Sequence, residues 1–257
     1  GDVIFNNPKD HLFLAEIIAY CLQGAKDATV LDFFAGSSST AHAVFELNSR
    51  DGGARRIIMV QMPEELKVET ATSPAAKQTI QRAIKFLNSI GKPLNIAEIS
   101  KERIRRAGAK LLEGDCHADW NKDVGFRVLK IDTSNMQDVY YRPDEVDQKD
   151  LLHAVDNIKP DRTPEDLLFQ VLVDWGVDLT LPIRRETVQG KTVFFVDENA
   201  LVACFDTGVT EELVKELAGR DPLRVVFRDN GFVSDAVKIN VEQVFRQLSA
   251  GTDVKSI

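Results

Sequence analysis

The chain has 257 residues, enough for one large domain or two smaller ones. It is 44% hydrophobic and 28% charged, and no apolar run approaches the ~18 residues that a membrane-spanning helix needs. Its three widely spaced cysteines, Cys21, Cys116 and Cys204, argue against a disulfide framework and favour a cytoplasmic protein. A net charge of −8 argues against a surface that grips nucleic acid on all sides, although it leaves room for a local basic face.

The first predicted element is a helix with Asn7 as its cap and Pro8 at its first position. Its apolar residues recur at helical spacing and predict one buried stripe, made of Leu14, Ile17, Ile18 and Cys21. Gly24 then ends the helix. Because the chain begins at Gly1 rather than at a methionine, we expect it to be a piece of a longer polypeptide.

Residues 30–40 are the most informative stretch. An apolar strand at Val30 and Leu31 would bring Asp32 to the carboxyl edge of a sheet, where α/β folds bind ligands. Gly36 lets the backbone approach a ligand, and the hydroxyl-rich residues 37–40 open a helix N-terminus. No Gly-x-Gly-x-x-Gly or Gly-Lys-Ser/Thr pattern is present. The stretch predicts a nucleotide-type cradle, with the alternative that Asp32 only caps the turn at a strand end.

A crossover helix at 41–47, broken at 51–53, leads to a second strand at 56–61. The continuous apolar residues of this strand predict burial on both faces, as in parallel sheets. Strand, helix and strand form one right-handed βαβ unit. Gln61 ends the second strand, where such folds hold a ribose. Glu64 or Glu65 could take that role instead, and Gln61 could equally be an ordinary polar residue at a strand end.

Two further helices and a strand complete the first half. Ser73 and Pro74 begin one helix, which buries a stripe of Ile80, Ala83, Ile84 and Leu87 and ends before Gly91. A second helix begins near Ser100 and buries Ile104, Ala107 and Leu111. Its other side is basic and could either contact phosphates or simply be solvated; it carries Lys101, Arg103, Arg105, Arg106 and Lys110. Residues 124–131 predict a strand.

The predicted organisation is residues 1–135 as a first domain, 136–162 as a connecting segment with a short helix at 151–158, and 163–257 as a smaller α/β module. In this module Thr163, Thr210 and Ser234 each precede a helical pattern. Strands are predicted at 184–189 and 191–196, joined as a hairpin by Gly190, and at 201–205 and 223–227. The last helix would bury the apolar residues Val237, Val241, Val244, Phe245 and Leu248.

No metal site is predicted. Cys116 and His117 lack companions at ligand spacing. The other histidines, His11, His42 and His153, lie in helical patterns without a neighbouring serine or cysteine nucleophile that the sequence identifies. The three residues Asp229, Asp235 and Lys238 invite a nuclease interpretation, but turn and helix positions explain them better.

The stretch that begins at Asp32 resembles the D-x-F-x-G-x-G-T loop of S-adenosylmethionine (AdoMet)-dependent DNA amino-methyltransferases. The matching residues are Asp32, Phe33, Phe34, Ala35, Gly36, Ser37 and Thr40. Ser38 replaces the second glycine, which would cost on the order of 1 kcal/mol if the site needs positive φ. In that family the carboxylate meets the methionine ammonium group, so the resemblance implies that these residues bind AdoMet together with Gln61.

Longer blocks resemble the modification (Mod) subunit of type III restriction-modification systems, whose methyltransferases belong to the β class. They are residues 30–36, 40–44, 51–56, 60–64, 101–108, 125–135, 222–229 and 238–245. In the β class an Asn-Pro-Lys segment, here Asn7 to Lys9, precedes the cofactor loop. The resemblance therefore adds Asn7 and Lys9 to the cofactor site, although Lys9 could equally be a solvated lysine of the first helical turn.

The resemblance implies a partial Rossmann-like methyltransferase sheet and an adenine-N6 DNA methyltransferase. The expected partners are DNA, a second Mod subunit and the restriction (Res) subunit. The family's catalytic Asp/Asn-Pro-Pro-Tyr/Phe loop has no counterpart here, because none of the nine prolines is adjacent to another. We therefore expect no catalytic residue in this chain, no activity from it alone, and DNA contacts mainly from an upstream half. The alternatives are an assembly module that binds no cofactor and a nucleotide-binding enzyme that acts on small molecules.

Overall fold

A computed structural model describes residues 4–5, 8–137 and 157–257 of the protein. Its internal contacts divide the chain into two compact units, Gly1–Leu129 and Lys130–Ile257. The predicted cap Asn7 and nearly all of the predicted helix at 151–158 lie outside the described residues. Among the helices that are described, none has the length and apolar character to cross a membrane.

The first helix, α1 (His11–Leu22), begins later than predicted. Its cap is Asp10, whose carboxylate accepts the amide hydrogens of two residues in the first turn. The predicted stripe is wrong at Ile17 and Cys21, which are exposed. Leu14, Ala15, Ile18 and Ala19 pack instead against the second helix. The reason is Ala15, which is fully buried and small enough to let the two helices approach closely.

The predicted βαβ unit is confirmed. Strands β1 (Thr29–Asp32) and β2 (Arg56–Met59) pair in parallel, with α2 (Ser39–Asp51) between them in the chain. The predicted burial of β2 on both faces is wrong, because Ile58 is 46% exposed. Its neighbours in the strand, Ile57 and Met59, pack in a cluster with α2. The sheet described in this unit has only two strands and is covered well on one face.

Two helices follow a 3₁₀ turn at Val68–Thr70. Helix α3 (Pro74–Ser89) begins at the predicted cap, because the Ser73 hydroxyl accepts the Ala76 amide hydrogen. Helix α4 (Ile96–Leu112) begins a turn earlier than predicted, because Asn95 rather than a residue near Ser100 supplies the capping oxygen. The predicted inward residues of both helices are buried or partly buried.

The strand predicted at 124–131 is wrong, since the structure has no regular element there. Val124 and Phe126 pack in a cluster with α2 and α4 rather than entering a sheet. Gly108 makes this possible, because a Cβ atom at that position would lie only 2.7 Å from the Cβ of Val124. Val128 and Leu129 are exposed, so their apolar character does not correspond to burial in this unit.

The second unit is built on a five-stranded sheet in the order β3-β4-β5-β6-β7. The strands are β3 (Ile183–Val188), β4 (Lys191–Val196), β5 (Leu201–Cys204), β6 (Arg224–Phe227) and β7 (Asp253–Ser256). The first three pair antiparallel and the last three parallel. The hairpin is confirmed, with positive φ at both turn residues, Gln189 and Gly190. Strand β7 is short and polar and was not predicted from the sequence.

Helices cover both faces of this sheet, and the three that lie in the described residues begin at the predicted caps. They are α5 (Pro164–Asp174), α6 (Glu211–Ala218) and α7 (Asp235–Leu248). Alternate strand residues divide between two cores, so that Phe194 packs with α5 while Phe195 packs with α6 and α7. Leu248, predicted to be buried, is 54% exposed because it is the last residue of α7, beyond the contact made by Phe245.

Candidate cofactor-binding loop

The predicted cradle forms the turn between β1 and α2, at the carboxyl ends of two parallel strands. The backbone N–H of Val60 donates to the carbonyl of Asp32 at 2.8 Å, and that of Ala35 donates to the carbonyl of Val60 at 3.1 Å. These bonds continue the pairing past the strand ends, so the loop is fixed to the segment that follows β2. α/β folds bind their ligands at this edge.

The Asp32 carboxylate organises the turn. One oxygen, Oδ1, accepts the N–H of Phe34 at 3.1 Å, and the other, Oδ2, accepts the Thr40 hydroxyl at 2.7 Å. Asp32 therefore does cap its own turn, the alternative that the sequence left open. An ionised carboxylate has about four acceptor positions, so two internal bonds leave room for a cationic partner.

Gln61 supports the loop directly. Its Oε1 accepts the N–H of Gly36 at 2.7 Å, and its Nε2 donates to the carbonyl of Met62 at 3.0 Å. One amide hydrogen of Gln61 is then left for a ligand. Glu64 and Glu65 are exposed, and Glu65 forms an ion pair with Lys67 at 3.0 Å.

Gly36 satisfies both a conformational and a packing requirement. Its φ of 51° lies in the left-handed region, which glycine adopts without steric cost. A Cβ atom there would lie 3.2 Å from the ring of Phe5. Any larger residue would therefore strain the loop and crowd the segment that precedes α1.

Helix α4 also holds the loop, and this support was not predicted from the sequence. The Ser100 hydroxyl donates to the carbonyl of Gly36, and Nη1 of Arg103 donates to the Ser37 hydroxyl at 2.9 Å. Burial lowers the pKa of the Arg103 guanidinium from its usual high value. Arg103 is therefore not part of a solvated basic face, as one interpretation of the sequence had it. Arg103 lies one turn after Ser100 and next to buried Ile104 in the sequence, and this position was the signal that could have indicated its contact with the loop.

The other predicted residues differ in exposure. Phe33 and Phe34 are 65% and 85% exposed, whereas Ala35 and Ser37 are buried. Lys9 is exposed and forms no hydrogen bond or ion pair with another described residue, while Asn7 lies outside the described part of the chain. The nuclease-like residues Asp229 and Lys238 form an ion pair with each other at 2.7 Å.

Ser38 adopts the positive φ, 57°, that the replaced glycine of the loop pattern suggested. It is fully buried, and its hydroxyl has no hydrogen-bond partner among the described residues. An L-residue in the left-handed region costs about 1–2 kcal/mol. An unsatisfied buried hydroxyl adds a desolvation cost of about 1–3 kcal/mol.

We therefore expect Ser38→Gly to raise the free energy of unfolding by about 1 kcal/mol, after allowing for the greater unfolded-state entropy of glycine. Chemical denaturation measures the change. Ser38→Ala removes only the hydroxyl and separates the two costs. The control is Ser39→Gly, at a buried position inside α2, which should destabilise the protein; an equal loss at position 38 would contradict the strain argument.

No protein-family model matches the chain. It is 35% identical over 151 residues to the type III restriction-modification enzyme StyLTI Mod subunit of Salmonella typhimurium, covering 59% of this chain and 20% of the relative. It is 30% identical over 127 residues to the EcoP15I Mod subunit of Escherichia coli, covering 49% of this chain and 15% of the relative. The type II methyltransferase M.KpnI of Klebsiella pneumoniae is 46% identical over 61 residues, covering 24% of this chain and 14% of the relative.

The aligned part of the chain thus spans a fifth or less of each of these three relatives. Two of the three are named type III Mod subunits, and the third is named a methyltransferase. These names agree with the resemblance found in the sequence. Over about half of its length, the chain is thus similar to part of two type III restriction-modification Mod subunits.

Proposed function

We propose that the loop from Asp32 to Thr40 binds AdoMet, and that the chain is the cofactor-binding and C-terminal part of a site-specific DNA adenine-N6 methyltransferase of type III restriction-modification. The observation that carries the proposal is the Asp32 carboxylate. It is fixed by two hydrogen bonds at the carboxyl end of β1 and keeps acceptor capacity for the ammonium group of AdoMet.

The neighbouring residues take complementary roles in this proposal. Gly36 lets the backbone approach the cofactor, and the free amide hydrogen of Gln61 donates to a ribose hydroxyl. Exposed Phe33 and Phe34 offer ring surface for the adenine. Lys9 binds the cofactor carboxylate, and Asn7 belongs to the same site. Bound AdoMet supplies an electrophilic methyl group; the loop residues bind and orient it.

Catalysis requires residues that this chain does not contain. An enzyme that methylates adenine in DNA extrudes the base and reads it by hydrogen bonds and stacking. The Pro-Pro-aromatic loop that does this in the family has no counterpart among the nine prolines. We propose that this loop and the target-recognition part lie in an upstream half of the protein, and that the chain alone transfers no methyl group to DNA.

The partners of the proposed enzyme are DNA, a second Mod subunit and a Res subunit. The net charge of −8 fits DNA contacts made mainly by the upstream half. We assign the cofactor site to residues 1–135 and protein contacts to the module at 163–257, with 136–162 connecting them. The similarity to two named Mod subunits supports the choice of DNA and a Res subunit as partners.

Calorimetric titration of the chain with S-adenosylhomocysteine tests the cofactor claim, with ATP and NAD as control ligands. We expect saturable heat with S-adenosylhomocysteine alone. Heat with ATP or NAD would favour the small-molecule enzyme. If none of the three ligands gives binding heat at millimolar concentration, and the chain forms a stable dimer or retains a Res subunit, the assembly module is favoured. Methyl transfer to DNA by this chain would contradict the upstream location of catalysis.

A further inference from the structure

Three potential metal ligands meet where α1 crosses α2, on side chains that the proposed cofactor site does not use. They are His11, the first residue of α1, and His42 and Glu46, which lie one turn apart on α2. One donor atom from each residue can be chosen so that all three lie within 4.8 Å of one another. The two imidazole rings are stacked, with centroids 3.7 Å apart and planes inclined by 8°.

We propose that His11, His42 and Glu46 bind a divalent transition-metal ion of the zinc type. With metal–nitrogen bonds of about 2.0–2.1 Å, the ligand atoms of a tetrahedral site lie roughly 3.3 Å apart. Binding requires the two imidazole rings to rotate out of their stacked arrangement, so that the in-plane lone pairs of their nitrogens converge on one ion. Two imidazoles and one carboxylate are also a donor set that zinc accepts, with a fourth position left for water.

The helix geometry fixes two of the three ligands before a metal arrives. Residues four apart lie on the same face of a helix, so His42 and Glu46 both project from α2 toward α1. The third ligand is fixed by packing, because Ala15 of α1 is fully buried against Ala43 and Leu47. The site therefore needs side-chain adjustment but no rearrangement of the backbone.

Charged side chains of both signs surround the three ligands. Burial lowers the pKa of His42 to about 4, and it also lowers the pKa of His11. Arg103 and Lys110 act on both rings as positive charges. Glu46 supplies the opposing negative charge, and Arg50 bonds only its Oε1, at 2.9 Å, leaving a second oxygen for the metal.

Binding would join the two helices that flank the cofactor loop in the chain. Helix α2 begins directly after Ser38, so a metal held by α1 and α2 would restrain the helix into which the loop leads. This inference does not depend on AdoMet binding. The metal site and the cofactor site share no residue and can fail separately.

The test is titration of the whole metal-free, tag-free chain with Zn²⁺ by calorimetry, and with Co²⁺ by visible absorption. We expect one ion per chain, and a cobalt spectrum of nitrogen and oxygen ligation without a thiolate charge-transfer band. His42→Gln and Glu46→Gln each remove a ligand and should weaken binding by at least the ~10–100-fold that loss of a group supporting a ligand typically costs. Circular dichroism at the same temperature checks that each variant is folded. If His42→Gln does not fold, Glu46→Gln alone carries the test.

Two controls make the result specific. Replacing Cys116 with Ser and His117 with Gln together removes the other neighbouring pair of potential ligands and should leave binding unchanged. Lys110→Gln removes an opposing positive charge and should tighten binding. Absence of binding at millimolar Zn²⁺ would overturn the proposal. So would binding that survives in folded His42→Gln and Glu46→Gln, or binding that is lost in the Cys116 and His117 double variant.

Discussion

Asp32→Asn is expected to weaken the binding of S-adenosylhomocysteine about 10–100-fold, because a hydrogen bond between charged groups contributes about 1.5–3 kcal/mol. The substitution nearly preserves shape. The asparagine oxygen can still accept the Phe34 N–H, and the Thr40 hydroxyl can turn to accept from the new amide. The turn should stay folded while the negative charge that meets the ammonium group is lost.

Calorimetry with the parent chain and the variant measures this difference, and a matched control separates it from general charge effects. Asp27→Asn removes the same charge from an exposed position before β1 and should leave the affinity unchanged. Equal affinities for the parent chain and folded Asp32→Asn would mean that Asp32 only caps its turn.

Arg55→Met is expected to lower the free energy of unfolding of the first unit by about 3 kcal/mol, the lower end for breaking a buried ion pair. The Arg55 side chain is only 2% exposed, and it holds the βαβ unit together at its base. It donates to both carboxylate oxygens of Asp51, at 2.9 and 2.8 Å, and to the carbonyl of Ala25 at 2.9 Å. Methionine fills much of the volume but makes none of these bonds.

The two tryptophans allow this unit to be followed alone, since Trp120 lies in the first unit and Trp175 in the second. In a Trp175→Phe background, denaturant unfolding followed by fluorescence reports the first unit. Arg82→Met, at an exposed position of α3, is the control and should change little.

The ion pair between Arg55 and Asp51 also predicts that the effect of Arg55→Met on the free energy of unfolding depends on pH. The hydrogen bonds from Arg55 hold the pKa of Asp51 below its ordinary 3.8. The stabilisation that ionised Asp51 contributes to the folded state is therefore fully present above about pH 3.8. It is lost as the pH falls through the lowered pKa of Asp51. The difference in the free energy of unfolding between the parent chain and Arg55→Met should therefore become smaller at acid pH. A difference that stays constant with pH would mean that Arg55→Met destabilises the unit through lost packing alone.

Local signals predicted much of the fold. Caps at Ser73, Thr163, Thr210 and Ser234 fixed helix starts, because each hydroxyl satisfies a backbone N–H of the first turn. Predictions failed where tertiary contacts decide. In the apolar run at 124–131, Val124 and Phe126 pack beside α4 rather than pairing in a strand. In α1, Ala15 rather than Ile17 faces α2. Neither the packing of residues 124–131 nor the buried face of α1 can be deduced from a local sequence pattern.

The candidate site divides in the same way. The turn itself followed from residue types and spacing, whereas positive φ at Ser38 was suggested only by the glycine that the resembling loops have at that position. The supports from Ser100 and Arg103 are distant in sequence and could not be assigned without the path of α4. The same holds for the approach of His11 to His42, which depends on how α1 packs on α2.

The most direct test of the central claim is a residue-by-residue map of where the cofactor product binds. Two-dimensional ¹⁵N–¹H NMR of the labelled chain, titrated with S-adenosylhomocysteine, should shift the amide signals of Gly36 and Ser38 and of the other residues between Asp32 and Thr40. Gly190, in the hairpin of the second unit, should not move. Saturating ligand that leaves the loop signals unchanged, or shifts confined to the second unit, would contradict AdoMet binding by this loop.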